Sequence, residues 1–295
     1  MATLALTRHD TLRGYIELTK PRIVVLVAFT ALGGLFLASG GVPDPILVII
    51  VLGAGSLAAG GANAINHYLD RDIDGLMRRT RQRPVVTGSI SPWRAMWFGI
   101  ALNVVAFVIF STLVNSLAAL LTLGATLFYV FVYTRGLKRS TPNNIVIGGA
   151  AGAIPPMVGW AAVTGGIGLP ALYMFAIIFF WTPPHFWALA LLIKDDYTSA
   201  GIPMLPVVAG VDETKRSIFL YSVLLLALTT MFYTTSAVGW LYLGSATALG
   251  LGFIWFAWRL LRQPGIVGAR TTYLYSLAYL GILFLAIVID SVVAH

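Results

Sequence analysis

Residues 45–74 read PILVIIVLGAGSLAAGGANAINHYLDRDID, an apolar run that changes abruptly into a polar and acidic segment. About twenty apolar residues, rising roughly 1.5 Å each in a helix, cross the roughly 30 Å hydrocarbon layer of a bilayer. The apolar part of this stretch is therefore predicted to be a transmembrane helix. Its acidic end is predicted to lie at, or just beyond, the membrane boundary.

The composition of the whole chain agrees with that interpretation. Of its 295 residues, 58% are hydrophobic and only 10% are charged, whereas charged residues make up about a quarter of an ordinary soluble domain. This composition excludes a disordered chain, a nucleic-acid-binding module and an ordinary soluble protein. The chain has no cysteine, which excludes disulfides, thiolate metal sites and cysteine nucleophiles.

Apolar runs separated by short polar breaks predict an all-α polytopic membrane protein with nine transmembrane helices. The expected spans are 23–39, 45–66, 93–114, 117–134, 143–163, 170–192, 216–236, 238–258 and 272–292. Residues 1–295 are expected to form one integral-membrane domain, with residues 1–20 as a short cytoplasmic segment. These first residues have no pattern of a cleavable signal or an organellar transit peptide, which favours a prokaryotic plasma membrane.

The 19 lysine and arginine residues determine the expected orientation. If nine helices alternate in direction, all of these residues fall on one side of the membrane, and positively charged loops are typically cytoplasmic. The N-terminus is therefore predicted to be in the cytoplasm and His295 outside. The net charge of +8 is explained by this topology, so no nucleic-acid partner is expected.

The polar end of residues 45–74 carries the most specific chemical signal. Asn66, Asp70 and Asp74 are spaced four residues apart, so on a helix they share one face over about 12 Å, and Asn63 extends that face. Carboxylates without thiolates suit Mg²⁺, which proteins often hold with one or two carboxylates plus substrate phosphates. A solvated helix end is the alternative. It leaves repelling acids at a helix C-terminus, a cost that a bound cation offsets.

Basic residues near this acidic face are candidates for binding phosphate oxygens, since arginine pairs with them bidentately. They are Lys20, Arg22, Arg79, Arg83, Arg135, Lys138 and Arg139. Each is also an ordinary topological charge, and the sequence leaves both roles open. A second acidic segment, Asp195-Asp196-Tyr197, follows helix 6 and is expected to bind substrate over the same cavity, with or without a second Mg²⁺.

Two proline pairs lie inside predicted membrane helices. Pro155-Pro156 in helix 5 and Pro183-Pro184 in helix 6 are expected to kink or break their helices, which is tolerated where the backbone lines a cavity or is buried. His185 follows the second pair. An ionisable residue inside the membrane is a functional candidate, although it also fits a polar contact between helices. His67, at the boundary, is open to the same two interpretations.

These residues resemble the UbiA superfamily of intramembrane prenyltransferases. The first signature of that superfamily is Asn-x-x-x-Asp-x-x-x-Asp, which Asn66, Asp70 and Asp74 match. The chain is similar to the haem-farnesylating branch in seven segments. These segments are Leu18–Arg22, Asn63–Asn66, Arg71–Asp74, Arg79–Pro84, Tyr133–Arg139, Trp181–Trp187 and Ala200–Pro206. Many members carry a second Asp-x-x-x-Asp after helix 6. The adjacent Asp195 and Asp196 do not meet that spacing, so their part in metal binding is less supported.

The resemblance implies a helical bundle around a central cavity and a specific reaction. Farnesyl diphosphate, haem B and water give haem O and diphosphate, with Mg²⁺ as cofactor on Asn66, Asp70 and Asp74. The basic residues share the diphosphate charge, and His185 or His67 meets the haem. Haem O leads to haem A for terminal oxidases, so a downstream haem A synthase is an expected partner, along with membrane lipid.

Two other functions remain alternatives. A prenyltransferase of the same superfamily with an aromatic or quinone-precursor acceptor shares the first signature and differs in the helix 6 segment. A cation-coupled secondary transporter also has broken helices and polar residues inside the membrane. The transporter is disfavoured because the acids cluster at the membrane boundary beside an arginine-rich loop, not near the midplane.

Overall fold

A computed structural model describes residues 8–293, and all the regular structure in this range is helical. The α-helices are α1 (Arg8–Thr19), α2 (Pro21–Ser39), α3 (Pro45–Leu69), α4 (Arg71–Asp74), α5 (Pro92–Leu113), α6 (Ser116–Leu127), α7 (Asn144–Ala153), α8 (Pro155–Thr164), α9 (Leu169–Leu192), α10 (Lys194–Ser199), α11 (Leu205–Val208), α12 (Gly210–Met231), α13 (Trp240–Arg262) and α14 (Ala269–Val293). The extreme N-terminus and His295 lie outside the described residues, so their predicted sides stay predictions.

Nine segments within residues 8–293 are long and apolar enough to cross a membrane, which confirms the predicted number. Six of them are the single helices α2, α3, α5, α9, α13 and α14. The fourth span is α6 with its continuation to Arg139, the fifth combines α7 and α8, and the seventh is α12 with its extension to Thr235. The protein is a multi-pass integral membrane protein.

The spans close into a bundle because the last membrane helix, α14, packs against the first, α2. Glycines let two of the helix pairs approach closely. A Cβ atom on Gly99 of α5 would lie 2.6 Å from the carbonyl oxygen of Gly61 in α3, and one on Gly34 of α2 would collide with the carbonyl oxygen of Pro156 in α8. Small residues at helix contacts are the usual means of close packing in membranes.

The proline pairs have different effects in the two helices. Helix 5 is divided between Ala153 and Pro155, as predicted. Of the kink or break expected in helix 6, the structure excludes a break: α9 continues through Pro183 and Pro184. Helix α9 is the span with the largest buried share, and α7, α12 and α14 pack around it. Such surrounding helices allow a proline-containing membrane helix to persist.

Most spans are longer in the structure than predicted, and the seventh and fourth exceed their predicted bounds the most. Helix 7 begins at Gly210 instead of residue 216, because its first turns are polar and carry the i,i+3 ion pairs of Lys215 with Asp212 and of Arg216 with Glu213. Helix 4 continues to Arg139 instead of residue 134. Hydrophobicity alone marks the apolar part of a helix and misses polar turns that extend beyond it.

The polar segments meet at one end of the bundle, as the alternating topology requires. Lys20 donates a hydrogen bond to Asn66, Arg139 pairs with Asp72, and the Lys215 ammonium donates to the carbonyl oxygen of Gln263. These contacts join segments that come from different loops. We refer to this end of the bundle as the charged end. The side of the membrane that it faces stays a prediction.

Candidate active site

The first signature forms a continuous polar face at the charged end. The amide of Asp70 donates to the carbonyl oxygen of Asn66 at 2.9 Å, and the amide of Asp74 donates to that of Asp70 at 2.8 Å. This i,i+4 pattern carries the helical turn past the end of α3 and into α4. As predicted, the three side chains come to one face. All three are buried, and Asp70 and Asp74 are 0% exposed.

Each of these three side chains contacts a cation from a different part of the chain. The Lys20 Nζ atom donates to Asn66 Oδ1 at 2.9 Å. Lys138 Nζ lies 2.5 Å from Asp70 Oδ2, and Arg83 lies 2.5 Å from Asp74 Oδ2. The structure therefore brings together three of the predicted basic residues with all three predicted metal ligands. We call these six residues the acid–base cluster.

The two carboxylates of the acid–base cluster are each only half satisfied. Oδ1 of Asp70 and Oδ1 of Asp74 are enclosed and have no hydrogen-bond partner among the described residues. Arg139 reaches Asp70 Oδ1 only as a 3.7 Å ion pair. Leaving a buried polar atom unpaired costs roughly 1–3 kcal/mol, and more for a charged group. Two buried anionic oxygens without donors are the ligands that a hard cation needs.

The described residues do not build a complete metal cage by themselves. Within residues 8–293, no group of three or more histidine or acidic side chains could hold a metal ion. Two carboxylates and an amide fit Mg²⁺ only if other oxygens complete its coordination, and Mg²⁺ is commonly shared with substrate phosphates in this way. The cations of the acid–base cluster suit the same phosphates.

A strained backbone position presents Lys20 to the acid–base cluster. Lys20 adopts a left-handed conformation, with φ of 52°, between α1 and α2. Such a conformation is uncommon outside glycine and persists where neighbouring contacts fix it. The Asn63 amide donates to the carbonyl oxygen of Thr19 at 3.2 Å and supplies one such contact. Burial and the charges of Arg83 and Lys138 hold the pKa of Lys20 well below its usual range.

An irregular helix end presents Lys138 and Arg139. The fourth span changes to a π-helical turn over Phe128–Gly136 and then to a tight turn over Leu137–Arg139. π-helical turns are rare in proteins overall, but those that occur are often found at functional sites. Arg139 donates two hydrogen bonds to Asp72, at 2.6 and 2.8 Å, and they lower the pKa of Asp72 to about 2. Arg139 thus braces the helix end beside the cluster.

Arg22 and Arg135 lie apart from the acid–base cluster. Arg22 is exposed at the start of α2. Arg135 is exposed and lines a mainly apolar groove of about 620 Å³, together with Ile65 and Leu69 of α3. On a helix, Ile65 and Leu69 lie roughly 100° around the axis from Asn66 and Asp70, respectively. The groove therefore opens on a different side of α3 from the cluster.

The second acidic segment supports the arginine-rich loop. Asp196 accepts hydrogen bonds from the backbone amides of Arg78 and Arg79, at 3.3 and 3.2 Å. Tyr197 is buried, and burial raises the pKa of its hydroxyl. Asp195 and the Arg79 side chain are exposed. The structure thus gives Asp196 a tethering contact with the loop that carries Arg83.

The two candidate histidines have different surroundings. His67 is 2% exposed, and neither ring nitrogen has a partner among the described residues. His185 is also buried, but its Nδ1 atom lies 2.7 Å from the Ser276 hydroxyl oxygen. The ring of His185 stacks on Trp181 and Tyr273, with centroid distances of 4.3 and 5.0 Å. His185 is seven residues before the end of α9, roughly 10 Å into the bundle.

Four contact residues were not predicted as site residues. Thr134 is buried beside Asn66, 3.4 Å from its amide nitrogen, and Trp181, Tyr273 and Ser276 surround His185. Trp181 lies in one of the seven segments that resemble the haem-farnesylating branch, so the sequence did contain a signal for it. Tyr273 and Ser276 lie in α14, beyond those seven segments. Isolated hydroxyl side chains in an apolar helix have no characteristic spacing by which the sequence could have marked them.

Comparisons with known proteins identify the family of this chain. A family model described as the UbiA prenyltransferase family matches residues 27–287. A protein named protoheme IX farnesyltransferase from Gloeobacter violaceus is 51% identical over 95% of this chain and 92% of its own length. Another of that name, from Symbiobacterium thermophilum, is 49% identical over 95% of each chain.

Solved structures show the same fold at lower sequence identity. A structure of digeranylgeranylglyceryl phosphate synthase in membranes has a TM-score of 0.79 at 20% identity, covering 96% of this chain and 99% of its own. A UbiA homologue from Archaeoglobus fulgidus bound to GPP and Mg²⁺ has a TM-score of 0.70 at 18% identity, covering 93% and 99%. From the family match and the relatives together, the chain belongs to the UbiA prenyltransferase family.

Proposed function

We propose that this protein is a haem B farnesyltransferase that converts haem B, farnesyl diphosphate and water into haem O and diphosphate. The observation that carries the proposal is the half-satisfied state of Asp70 and Asp74, which leaves two buried oxygens beside three cations. That arrangement suits a metal-bound diphosphate. The haem acceptor is supported by the name of the relatives at about half sequence identity.

The chain's own residues divide the diphosphate site between them. Asn66, Asp70 and Asp74 are the proposed Mg²⁺ ligands through their oxygen atoms. Lys20, Arg83 and Lys138, now paired with those side chains, are positioned to bind phosphate oxygens when the cation takes over the carboxylates. When bound, Mg²⁺ neutralises the diphosphate and makes it a better leaving group. Fixed cations around a leaving group stabilise the charge that develops there.

In the proposed reaction, the farnesyl group moves from diphosphate to a haem vinyl group, and water adds to the product. The bond between farnesyl C1 and the diphosphate oxygen breaks, and the diphosphate leaves with the bonding electrons. The terminal carbon of a haem vinyl group forms the new bond to C1. Positive charge then resides on the vinyl carbon next to the porphyrin ring, where water adds and releases a proton. Apolar surroundings would protect the cationic carbon from early capture by water.

His185 and His67 are the proposed haem contacts. Both are buried, and neither is paired with a carboxylate among the described residues. A neutral imidazole is a common ligand of haem iron. Six further residues are proposed to contact the substrates around the acid–base cluster: Asn63, Arg79, Arg139, Asp195, Asp196 and Tyr197. Arg22 and Arg135 are proposed substrate contacts as well, but they lie apart from the cluster.

We further propose that the charged end faces the cytoplasm of a prokaryotic plasma membrane. The concentration of lysine and arginine there supports this orientation. Farnesyl diphosphate would then reach the acid–base cluster from the cytoplasm, and haem O would leave within the membrane toward a haem A synthase.

The test is mass spectrometry of haem extracted after the purified protein is incubated with haem B, farnesyl diphosphate and Mg²⁺. The proposal requires a haem heavier by one farnesyl and one hydroxyl group, which must be absent when Mg²⁺ is removed. Unchanged haem together with prenyl transfer to an aromatic acid would assign the protein to another acceptor class within its family.

A further inference from the structure

The hydroxyl group of Ser276 makes two short contacts deep in the bundle. Its oxygen lies 2.7 Å from Nδ1 of His185 and 2.6 Å from the backbone carbonyl oxygen of Tyr273. Both are within hydrogen-bond distance. Ser276 is 0% exposed, so no bulk solvent competes for either contact.

The single proton of the Ser276 hydroxyl determines the direction of both hydrogen bonds. A serine hydroxyl has one proton to donate, and a carbonyl oxygen can only accept. If the hydroxyl donated to His185, its oxygen would face the Tyr273 carbonyl oxygen at 2.6 Å with no proton between them. The arrangement is satisfied only when Ser276 donates to Tyr273 and His185 donates its Nδ1 proton to Ser276.

This assignment makes Nε2 the free nitrogen of His185. No carboxylate contacts the ring among the described residues, so nothing there compensates a charge on the imidazole in the apolar layer. A neutral ring protonated at Nδ1 carries a lone pair on Nε2. Nε2 has no hydrogen-bond partner within the described part of the chain. Unlike the ring nitrogens of His67, it is not fully enclosed.

Ser276 also fixes the aromatic ring that supports His185. The Trp181 indole N–H donates to the backbone carbonyl oxygen of Ser276 at 2.8 Å, and the Trp181 ring stacks on His185 at 18° between planes. One residue of α14 thus holds the imidazole through a hydrogen bond and holds its stacking partner through another. The orientation of the ring is set before any ligand arrives.

We propose that Ser276 is a positioning residue that keeps His185 protonated at Nδ1, so that Nε2 is the atom that binds the iron of the haem substrate. This inference rests on the proposed function and chooses between the two histidines. Imidazoles that bind metals usually donate their other ring proton to a fixed acceptor, and loss of that acceptor typically weakens metal binding by roughly 10- to 100-fold. Among the described residues, His67 has no such acceptor.

The binding test is a titration of the purified, full-length protein with haem B, followed by its Soret absorbance and by electron paramagnetic resonance of the ferric form. We expect His185→Ala to lose the histidine-ligated signature and Ser276→Ala to bind haem roughly 10- to 100-fold more weakly. Ser276→Thr keeps a hydroxyl and should restore affinity to within a few-fold. A Ser276→Ala protein that binds haem with unchanged affinity and spectrum would overturn the proposal.

Ser291→Ala is the matched control on the same helix. Ser291 is also buried, and its hydroxyl donates to the Ile287 carbonyl oxygen at 2.7 Å; within the described residues it contacts no histidine. This variant removes a comparable buried hydroxyl and should leave haem binding unchanged. Equal losses in Ser276→Ala and Ser291→Ala would mean that only helix packing had been disturbed, and would overturn the positioning role.

A second measurement needs no haem, and its result is read from the wild-type protein. In protein labelled with ¹⁵N at its four histidines, the nitrogen chemical shifts report which ring atom carries the proton, and His185→Ala assigns the signal. A proton on Nδ1 supports the inference even if haem is not the substrate. A proton on Nε2 would overturn it whatever the protein does with haem.

Discussion

Buried carboxylates at the two ends of the bundle are held in opposite ways. At the end away from the acid–base cluster, Asp290 of α14 is 4% exposed. It accepts hydrogen bonds from the backbone amides of Gly239 and Tyr242, one on each oxygen. At the charged end, Asp70 and Asp74 each keep one oxygen without a donor among the described residues. Both oxygens of Asp290 therefore accept hydrogen bonds, whereas Asp70 and Asp74 each use only one oxygen in this way within the described residues.

The difference separates a structural carboxylate from a functional one. Asp290 satisfies the first amides of α13, the groups that every helix N-terminus leaves unpaired, and its charge suits the positive end of that helix. Asp70 and Asp74 lie at and beyond the C-terminus of α3, and a helix leaves carbonyl oxygens unpaired at that end, not amides. Their location is unfavourable for the fold, which is expected where binding takes priority over stability.

The largest expected effect is on catalysis at Asp70. Asp70→Ala removes one proposed metal oxygen, so activity should fall by at least about 100-fold. The protein should still insert and fold, because Lys138 retains 11% exposure and can reach water. Haem O formation and detergent-solubilised thermal unfolding would be measured side by side. Near-normal activity in this variant would break the comparison.

Arg83 should give the next largest effect. Arg83→Gln removes a charged donor that we propose binds diphosphate, and hydrogen bonds to charged groups contribute roughly 1.5–3 kcal/mol. KM for farnesyl diphosphate should rise by roughly 10- to 100-fold, while haem affinity stays the same. Arg81→Gln, at an exposed arginine of the same loop, is the control and should change KM less than twofold. Similar losses in both variants would point to general surface charge.

Asp290→Ala should show the reverse pattern to Asp70→Ala. Loss of the acceptor for two amides of α13 should lower the free energy of unfolding by about 0.5–2 kcal/mol, the usual cost of losing a helix cap. Turnover per folded molecule should be unchanged. Chemical denaturation and a haem O assay test the two halves of this expectation, and a catalytic loss without a stability loss would contradict it.

Asp196→Asn should have the smallest effect. The variant keeps one oxygen acceptor for the amides of Arg78 and Arg79, so a single hydrogen bond of about 0.5–1.5 kcal/mol is at risk. KM for farnesyl diphosphate should rise by roughly two- to tenfold, with no change in the metal requirement. If Asp196 were a metal ligand, the dependence on Mg²⁺ concentration would shift strongly instead.

The nine spans and the shared face of Asn66, Asp70 and Asp74 follow from local spacing, so the sequence was sufficient to predict them. Spacing does not reveal which side chains meet across the bundle. The contact of Ser276 with His185 joins residues 91 positions apart, and the tether from Asp196 to Arg79 joins residues 117 apart. The continuity of α9 through two prolines likewise depends on the helices packed around it.

Binding of a divalent cation to the free oxygens of Asp70 and Asp74 can be measured most directly with Mn²⁺ as a paramagnetic substitute for Mg²⁺. Electron paramagnetic resonance would follow Mn²⁺ binding with and without a non-hydrolysable farnesyl diphosphate analogue, in wild-type, Asp70→Ala and Asp290→Ala protein. We expect tight binding only when the analogue is present, loss in Asp70→Ala and retention in Asp290→Ala. Equal Mn²⁺ binding by wild-type and Asp70→Ala protein would contradict the assignment of the site.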